Sequence, residues 1–159
     1  MTAYLDTNVA VWIAQGDTHR ISPAARNAVQ HLRAGELATL DYRLKLVDVF
    51  SHPELAAIGL TEAEARQRGI RFRCAKYPFD DHGKSIVLGE TEGFVKLLAD
   101  ANTNEIIAGA VVGPEASELI HEISVAMYFH ATAKDLARVP HYHPTLSEIW
   151  TYPAEDLAS

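Results

Sequence analysis

The order of elements in this 159-residue chain predicts an α+β fold, an antiparallel sheet with helices packed on one side. Strands cluster before helices across residues 41–159, with no regular strand–helix alternation. Ile70, Phe72 and Cys74 alternate with Arg71 and Arg73, the period of two of a half-buried strand. Leu119, Ile120, Ile123 and Met127 recur at helical spacing. Residues 1–40 read differently, as a short strand–helix appendage.

In chain order, Ala3 to Ile13 is apolar and strand-like with a carboxylate at Asp6, and Ser22-Pro23 is a helix start. Leu46 to Phe50 reads as a strand. Thr61-Glu62-Ala63-Glu64 is a capping box, opening a short helix that ends at Gly69. Gly93 to Ala99 and Glu105 to Val112 are strands joined by the polar turn Asp100 to Asn104. The Leu119–Met127 helix follows Pro114. Thr132-Ala133-Lys134-Asp135 caps another short helix, and the last begins between Thr145 and Trp150.

Charge and composition remove several function classes. A net charge of −7 leaves no basic footprint for nucleic acid or an anionic membrane. No apolar run approaches the roughly 20 residues of a membrane-spanning helix. Asp6 precedes any basic residue, so the start does not read as a secretory signal. Cys74 is the sole cysteine, which excludes an intrachain disulfide and points to a reducing cytoplasm. Arg66, Arg68, Arg71, Arg73 and Lys76 form the basic cluster, most simply a solvated face.

Two nucleotide motifs fail on inspection. Gly83-Lys84-Ser85 imitates the tail of a P-loop, but the required first glycine falls on Pro78, which lacks the N–H and the φ freedom of a phosphate cradle. The segment reads as a turn. No Gly-x-Gly-x-x-Gly occurs, so the chain alone is expected to bind no FAD or NAD. His141 and His143 stand two apart, on opposite sides of an extended segment, and suggest no metal site.

His143-Pro144-Thr145 with Glu148 five residues after the histidine is a base with a possible carboxylate partner. Its competing reading is a Thr145/Glu148 capping box, in which Glu148 would be drawn away from His143. Three further motifs precede it in order: Val49-Phe50-Ser51-His52-Pro53-Glu54 to Glu62, Leu88-Gly89-Glu90-Thr91-Glu92-Gly93-Phe94-Val95-Lys96, and Gly113-Pro114-Glu115-Ala116-Ser117-Glu118-Leu119-Ile120. From Asp41 to Glu155 the chain resembles the C-terminal dimerisation domain of FAD-dependent pyridine nucleotide-disulfide oxidoreductases, the dihydrolipoamide dehydrogenase group.

That resemblance implies a domain over residues 41–159, a homodimer or pairing with a reductase subunit, and FAD and NAD(P) in the parent enzymes. It implies that His143 reaches the other subunit's active site as acid–base, oriented by Glu148, after a cis peptide bond at Pro144. Those enzymes also need a redox pair of cysteines, since a mixed disulfide must be resolved by a second thiolate. One cysteine cannot supply it, and the chain by itself is expected to be catalytically silent. Leu5-Asp6-Thr7-Asn8 resembles the first strand of toxin-type PIN nucleases. There the matching Asp6 would be one of several metal-holding carboxylates, which leaves a metal-dependent ribonuclease as the alternative, beside a non-catalytic dimerisation module.

Overall fold

The computed structural model describes residues 42–159 together with Pro23. Apart from Pro23, the appendage over residues 1–40, including Asp6 and the PIN-like strand, lies outside the described residues. Among those described, five strands form one antiparallel sheet: β1 (Leu46–Val49), β2 (Glu54–Gly59), β3 (Phe72–Pro78), β4 (Phe94–Asp100) and β5 (Ile106–Gly113), in spatial order β1-β2-β5-β4-β3. The helices are α1 (Glu62–Gln67), α2 (Gly83–Leu88), α3 (Ala116–Tyr128), α4 (Ala133–Leu136) and α5 (Thr151–Ala158). No helix among the described residues is long and apolar enough to cross a membrane.

The register decides which side chains meet the helices. Ile58 and Leu97 both pair with Gly109, and Ala56 and Val95 both pair with Val111, so these residues share one face. All are buried, and α3 lies on them through Leu119, Ile120, Ile123 and Met127. The expected helical stripe is therefore core. Gly109 has a plain steric reason: a Cβ there would lie 2.8 Å from Ile123 Cγ2. A side chain at that position would hold the helix off the sheet.

Helix starts follow local chemistry. Thr61 and Glu64 complete the expected capping box on α1, and Thr132 with Asp135 completes one on α4. The first turn of α3 takes its partner from β2: the Glu54 carboxylate accepts from the Ser117 backbone N–H at 3.2 Å and from its hydroxyl at 3.0 Å. An anion at a helix N-terminus is favourable. The polar β4–β5 turn is closed by Asp100 Oδ1, which accepts from Asn102 N and Thr103 N. Those N–H groups, Thr103's first, hold the Asp100 carboxyl below the ordinary aspartate range.

Helix α5 packs on β3. Tyr152 stacks on Tyr77 with ring centroids 3.9 Å apart and planes 7° from parallel. Arg73 donates to the Asp156 and Ser159 carbonyls at the end of α5, a cation where the helix dipole is negative. On the other face of the sheet, Glu62 of α1 pairs with Lys96 at 3.3 Å and Arg66 covers the Phe72 ring. The basic cluster is thus only in part a solvated face, because Arg66 and Arg73 have definite partners.

Two sequence readings are corrected. Glu54–Gly59 is a strand that the pattern did not reveal, because Leu55-Ala56-Ala57-Ile58 is apolar at four successive positions and shows no alternation. Gly83-Lys84-Ser85 opens the helix α2 instead of forming a turn. That helix ends at Gly89 with φ 75°, and its Ile86, Val87 and Leu88 are exposed, so no buried stripe announced it.

Candidate functional site

His143 lies in the segment between α4 and the short 3₁₀ turn Ser147–Trp150 that leads into α5. The turn is anchored from below: Ile149 and Trp150 are fully buried, and the Trp150 indole N–H donates to the Leu119 carbonyl at 3.0 Å. This anchoring fixes Glu148, whose side chain is 10% exposed, while the His143 side chain is 77% exposed. His143 Nδ1 and Glu148 Oε2 are 2.9 Å apart. The His143–Pro144 peptide bond is cis, and so is His52–Pro53.

The expected competition between cap and pair does not arise, and this corrects the sequence reading. Glu148 divides its oxygens: Oε1 accepts from the Thr145 backbone N–H at 3.2 Å while Oε2 faces His143. Thr145 Oγ1 in turn lies 3.4 Å from the Glu148 N–H and donates to the Tyr142 carbonyl at 2.7 Å. A carboxylate offers about four lone-pair sites, so one group serves both tasks. A proton on Nδ1 matches this partner, and in the neutral ring that arrangement makes Nε2 an acceptor.

The fold adds residues that sequence spacing did not connect. His82 is fully buried between the 3₁₀ turn Phe79–Asp81 and α2, with Nδ1 2.8 Å from Ser85 Oγ and Nε2 3.6 Å from Glu148 Oε1. Burial pushes its pKa below the ordinary histidine value, against the opposing pull of the Glu148 carboxylate. Tyr152 and Phe79 turn their rings edge-on to it, at 6.2 and 6.5 Å. His141 points elsewhere, its Nε2 2.6 Å from Glu122 Oε1 on α3 and its Nδ1 2.9 Å from the Val139 carbonyl. The two histidines of the motif thus face different partners. The signal available for His82 was the Ser85 at i+3 within the dismissed P-loop-like stretch.

Other expected features stay apart from this cluster. Cys74, on β3, is exposed and unpaired, and partial burial raises its thiol pKa. No cluster of three or more His, Cys, Asp or Glu suited to a metal ion is found among the described residues. The longest described helix, α3, would be the natural seat for a pyrophosphate, but the Glu54 carboxylate already takes up its first turn and would repel a second anion.

Residues 47–154 match the family described as pyridine nucleotide-disulphide oxidoreductase, dimerisation domain. The chain belongs to that family. The dihydrolipoyl dehydrogenase of Bacillus subtilis is 39% identical over 156 residues, covering 94% of this chain and 33% of its own length. That of Thermus scotoductus is 42% identical over 134 residues, covering 84% of this chain and 28% of its own. Among solved structures, LpdA from Mycobacterium tuberculosis superposes with a TM-score of 0.74 at 30% identity, over 82% of this chain and 29% of its own. The HOCl-induced flavoprotein disulfide reductase RclA from Escherichia coli shares the fold, with a TM-score of 0.72 at 21% identity over 83% of this chain and 31% of its own. The chain therefore spans about a third of the length of these relatives. A match covering 94% of 159 residues leaves about ten outside it, so the Bacillus subtilis relative extends well into residues 1–40.

Proposed function

We propose that residues 41–159 form the dimerisation domain of a dihydrolipoyl dehydrogenase-like FAD-dependent NAD(P)H-disulfide oxidoreductase, and that His143 with Glu148 is the acid–base pair it offers to a partner subunit's active site. The observation that carries this reading is the 2.9 Å contact between an exposed imidazole and a buried carboxylate. With Nδ1–H given to Glu148, the Nε2 lone pair of His143 takes a proton from a substrate thiol, leaving a thiolate, and later returns it. Glu148 holds the ring and stabilises the imidazolium formed on the way, the task of the third group in a triad. Flavin and nicotinamide chemistry is assigned to other parts of the parent enzyme, because this sequence carries no Gly-x-Gly-x-x-Gly fingerprint.

The assembly is a homodimer, or a pairing with a reductase subunit, in a reducing cytoplasm. A polypeptide of this sequence alone, with Cys74 as its one thiol, is catalytically silent in disulfide exchange. The competing ribonuclease reading rests on Asp6 within Leu5-Asp6-Thr7-Asn8. The reductase match runs through much of the same segment, which favours reading residues 1–40 as part of the reductase lineage as well.

The test is a chimera in which residues 41–159 replace the corresponding C-terminal part of the Bacillus subtilis relative. The expected result is retained dihydrolipoamide oxidation that falls by about 10²–10⁴-fold on His143→Ala. Unchanged turnover in His143→Ala would end the assignment, and Mg²⁺-dependent RNA cleavage by the 159-residue chain itself, abolished by Asp6→Asn, would replace it.

A further inference from the structure

His82 is the described residue whose chemistry the acid–base pair leaves unexplained. Its side chain is fully buried, and Nε2 has no hydrogen-bond partner. At 3.6 Å the nearest charged atom, Glu148 Oε1, is just beyond hydrogen-bond length. A buried polar atom left unsatisfied is destabilising, so a native structure needs a reason for it.

The tautomer supplies the reason. If Nδ1 carried the proton and gave it to Ser85, the bare Nε2 lone pair would face a carboxylate oxygen in a dry pocket, acceptor against acceptor. With the proton on Nε2 the repulsion becomes an attraction between an N–H dipole and a carboxylate, 3.6 Å apart in a dry pocket. The Ser85 hydroxyl donates to Nδ1 across 2.8 Å, and Nε2–H points at Glu148 Oε1. We propose that His82, set by Ser85, is a positioning residue for Glu148: it holds Oε1 from behind so that Oε2 stays aimed at His143. The chain of groups runs Ser85, His82, Glu148, His143, with the Thr145 N–H as the second donor to Oε1. Phe79 and Tyr152 flank the ring, and among the described residues the charged or titratable groups that act on it are Glu148 and, beyond it, His143.

This inference rests on the His143–Glu148 pair proposed above, and the experiment separates the two. The ¹⁵N-histidine-labelled 159-residue chain is observed by long-range ¹H–¹⁵N correlation near pH ~9, above the histidine range, where the tautomer of each neutral ring is read directly. The expected spectrum shows His82 protonated on Nε2 and His143 chiefly on Nδ1. His82→Leu, which removes the donor, shifts His143 toward the Nε2–H tautomer. His82→Gln places an amide N–H where Nε2 was and restores the wild-type His143 signal. A general packing defect would move both variants alike. His82 protonated on Nδ1 in the wild type overturns the proposal, and this reading needs no variant to fold. So does a His143 tautomer unchanged in His82→Leu while Glu148→Leu changes it, or equal perturbation by Leu and Gln. An unchanged His143 tautomer in Glu148→Leu instead overturns the acid–base pair itself.

Discussion

Thr145 and Glu148 hold each other across the mouth of the last 3₁₀ turn: the Thr145 N–H reaches Glu148 Oε1 at 3.2 Å, and Glu148 N–H lies 3.4 Å from Thr145 Oγ1. The stronger half of this exchange is made by the backbone, so it survives loss of the side chain. Thr145→Ala removes the long contact and the 2.7 Å bond to the Tyr142 carbonyl. The expected loss is about 1 kcal/mol in urea unfolding, typical of a helix cap. His143 keeps its Nδ1–H tautomer in this variant, because Oε1 retains the backbone donor. A shifted tautomer would mean that the hydroxyl, and not the amide, sets Glu148.

The buried His82 makes stability depend on pH with a definite sign. Its folded pKa is lowered from the ordinary 6.5, first by burial, so the unfolded chain takes up this proton before the folded one. Its contribution is complete above the unfolded value and is lost as pH falls from about 6.5 through the folded pKa. His82→Gln does not titrate. The difference in urea midpoint between wild type and His82→Gln therefore shifts against wild type as pH drops from 7 to 5. A pH-independent difference would show that His82 titrates alike in both states.

Features whose chemistry is local were legible. Thr61/Glu64 and Thr132/Asp135 are capping boxes because partner and cap are three residues apart, and the α3 stripe declares itself by spacing. The contact between His143 and Glu148 was expected from the family resemblance, because the five-residue spacing alone is explained equally well by a Thr145/Glu148 cap. β2 escaped because its neighbours on both sides are protein: β1 and β5 flank it, and helices cover one face, while on the other Ala57 is half-buried and Leu55 is exposed yet apolar. An apolar run without alternation results. His82 and Glu148 meet only because β3, the turn after it and α5 converge, a relationship that no local period encodes.

Gly109 governs how closely α3 approaches β5. An added Cβ would lie 2.8 Å from Ile123 Cγ2 and 3.3 Å from its Cβ. The obstruction is the branched stem of a fully buried residue, which cannot swing aside as a flexible chain end would. Gly109→Ala is expected to lower stability by about 1–3 kcal/mol, the range for overpacking. Ile123→Ala removes the clashing methyl and itself costs about 2–5 kcal/mol by cavity formation. The double variant should be more stable than the sum of the two losses implies, since the inserted methyl enters the vacated space. Additive losses would show that the helix shifts away as a whole.

The segment bearing His143 has a second anchor in His141 and Glu122. The His141 side chain is 8% exposed, and its Nε2 lies 2.6 Å from Glu122 Oε1 on α3. Val139 carbonyl occupies Nδ1 at 2.9 Å, so the ring is fixed from both sides. Glu122→Ala leaves a nearly buried ring nitrogen without a partner, at an expected cost of about 1.5–3 kcal/mol, the range for bonds to charged groups. Glu122→Gln keeps an acceptor in place and should lose clearly less. The consequence for the site is dynamic. With the anchor gone, residues between α4 and the 3₁₀ turn open more readily, and the Thr145 amide that bonds Glu148 loses hydrogen-exchange protection relative to amides of β4 and β5. Exchange that rises equally in the sheet would indicate global destabilisation alone, whereas a selective rise at Thr145 ties the His141–Glu122 contact to the presentation of His143.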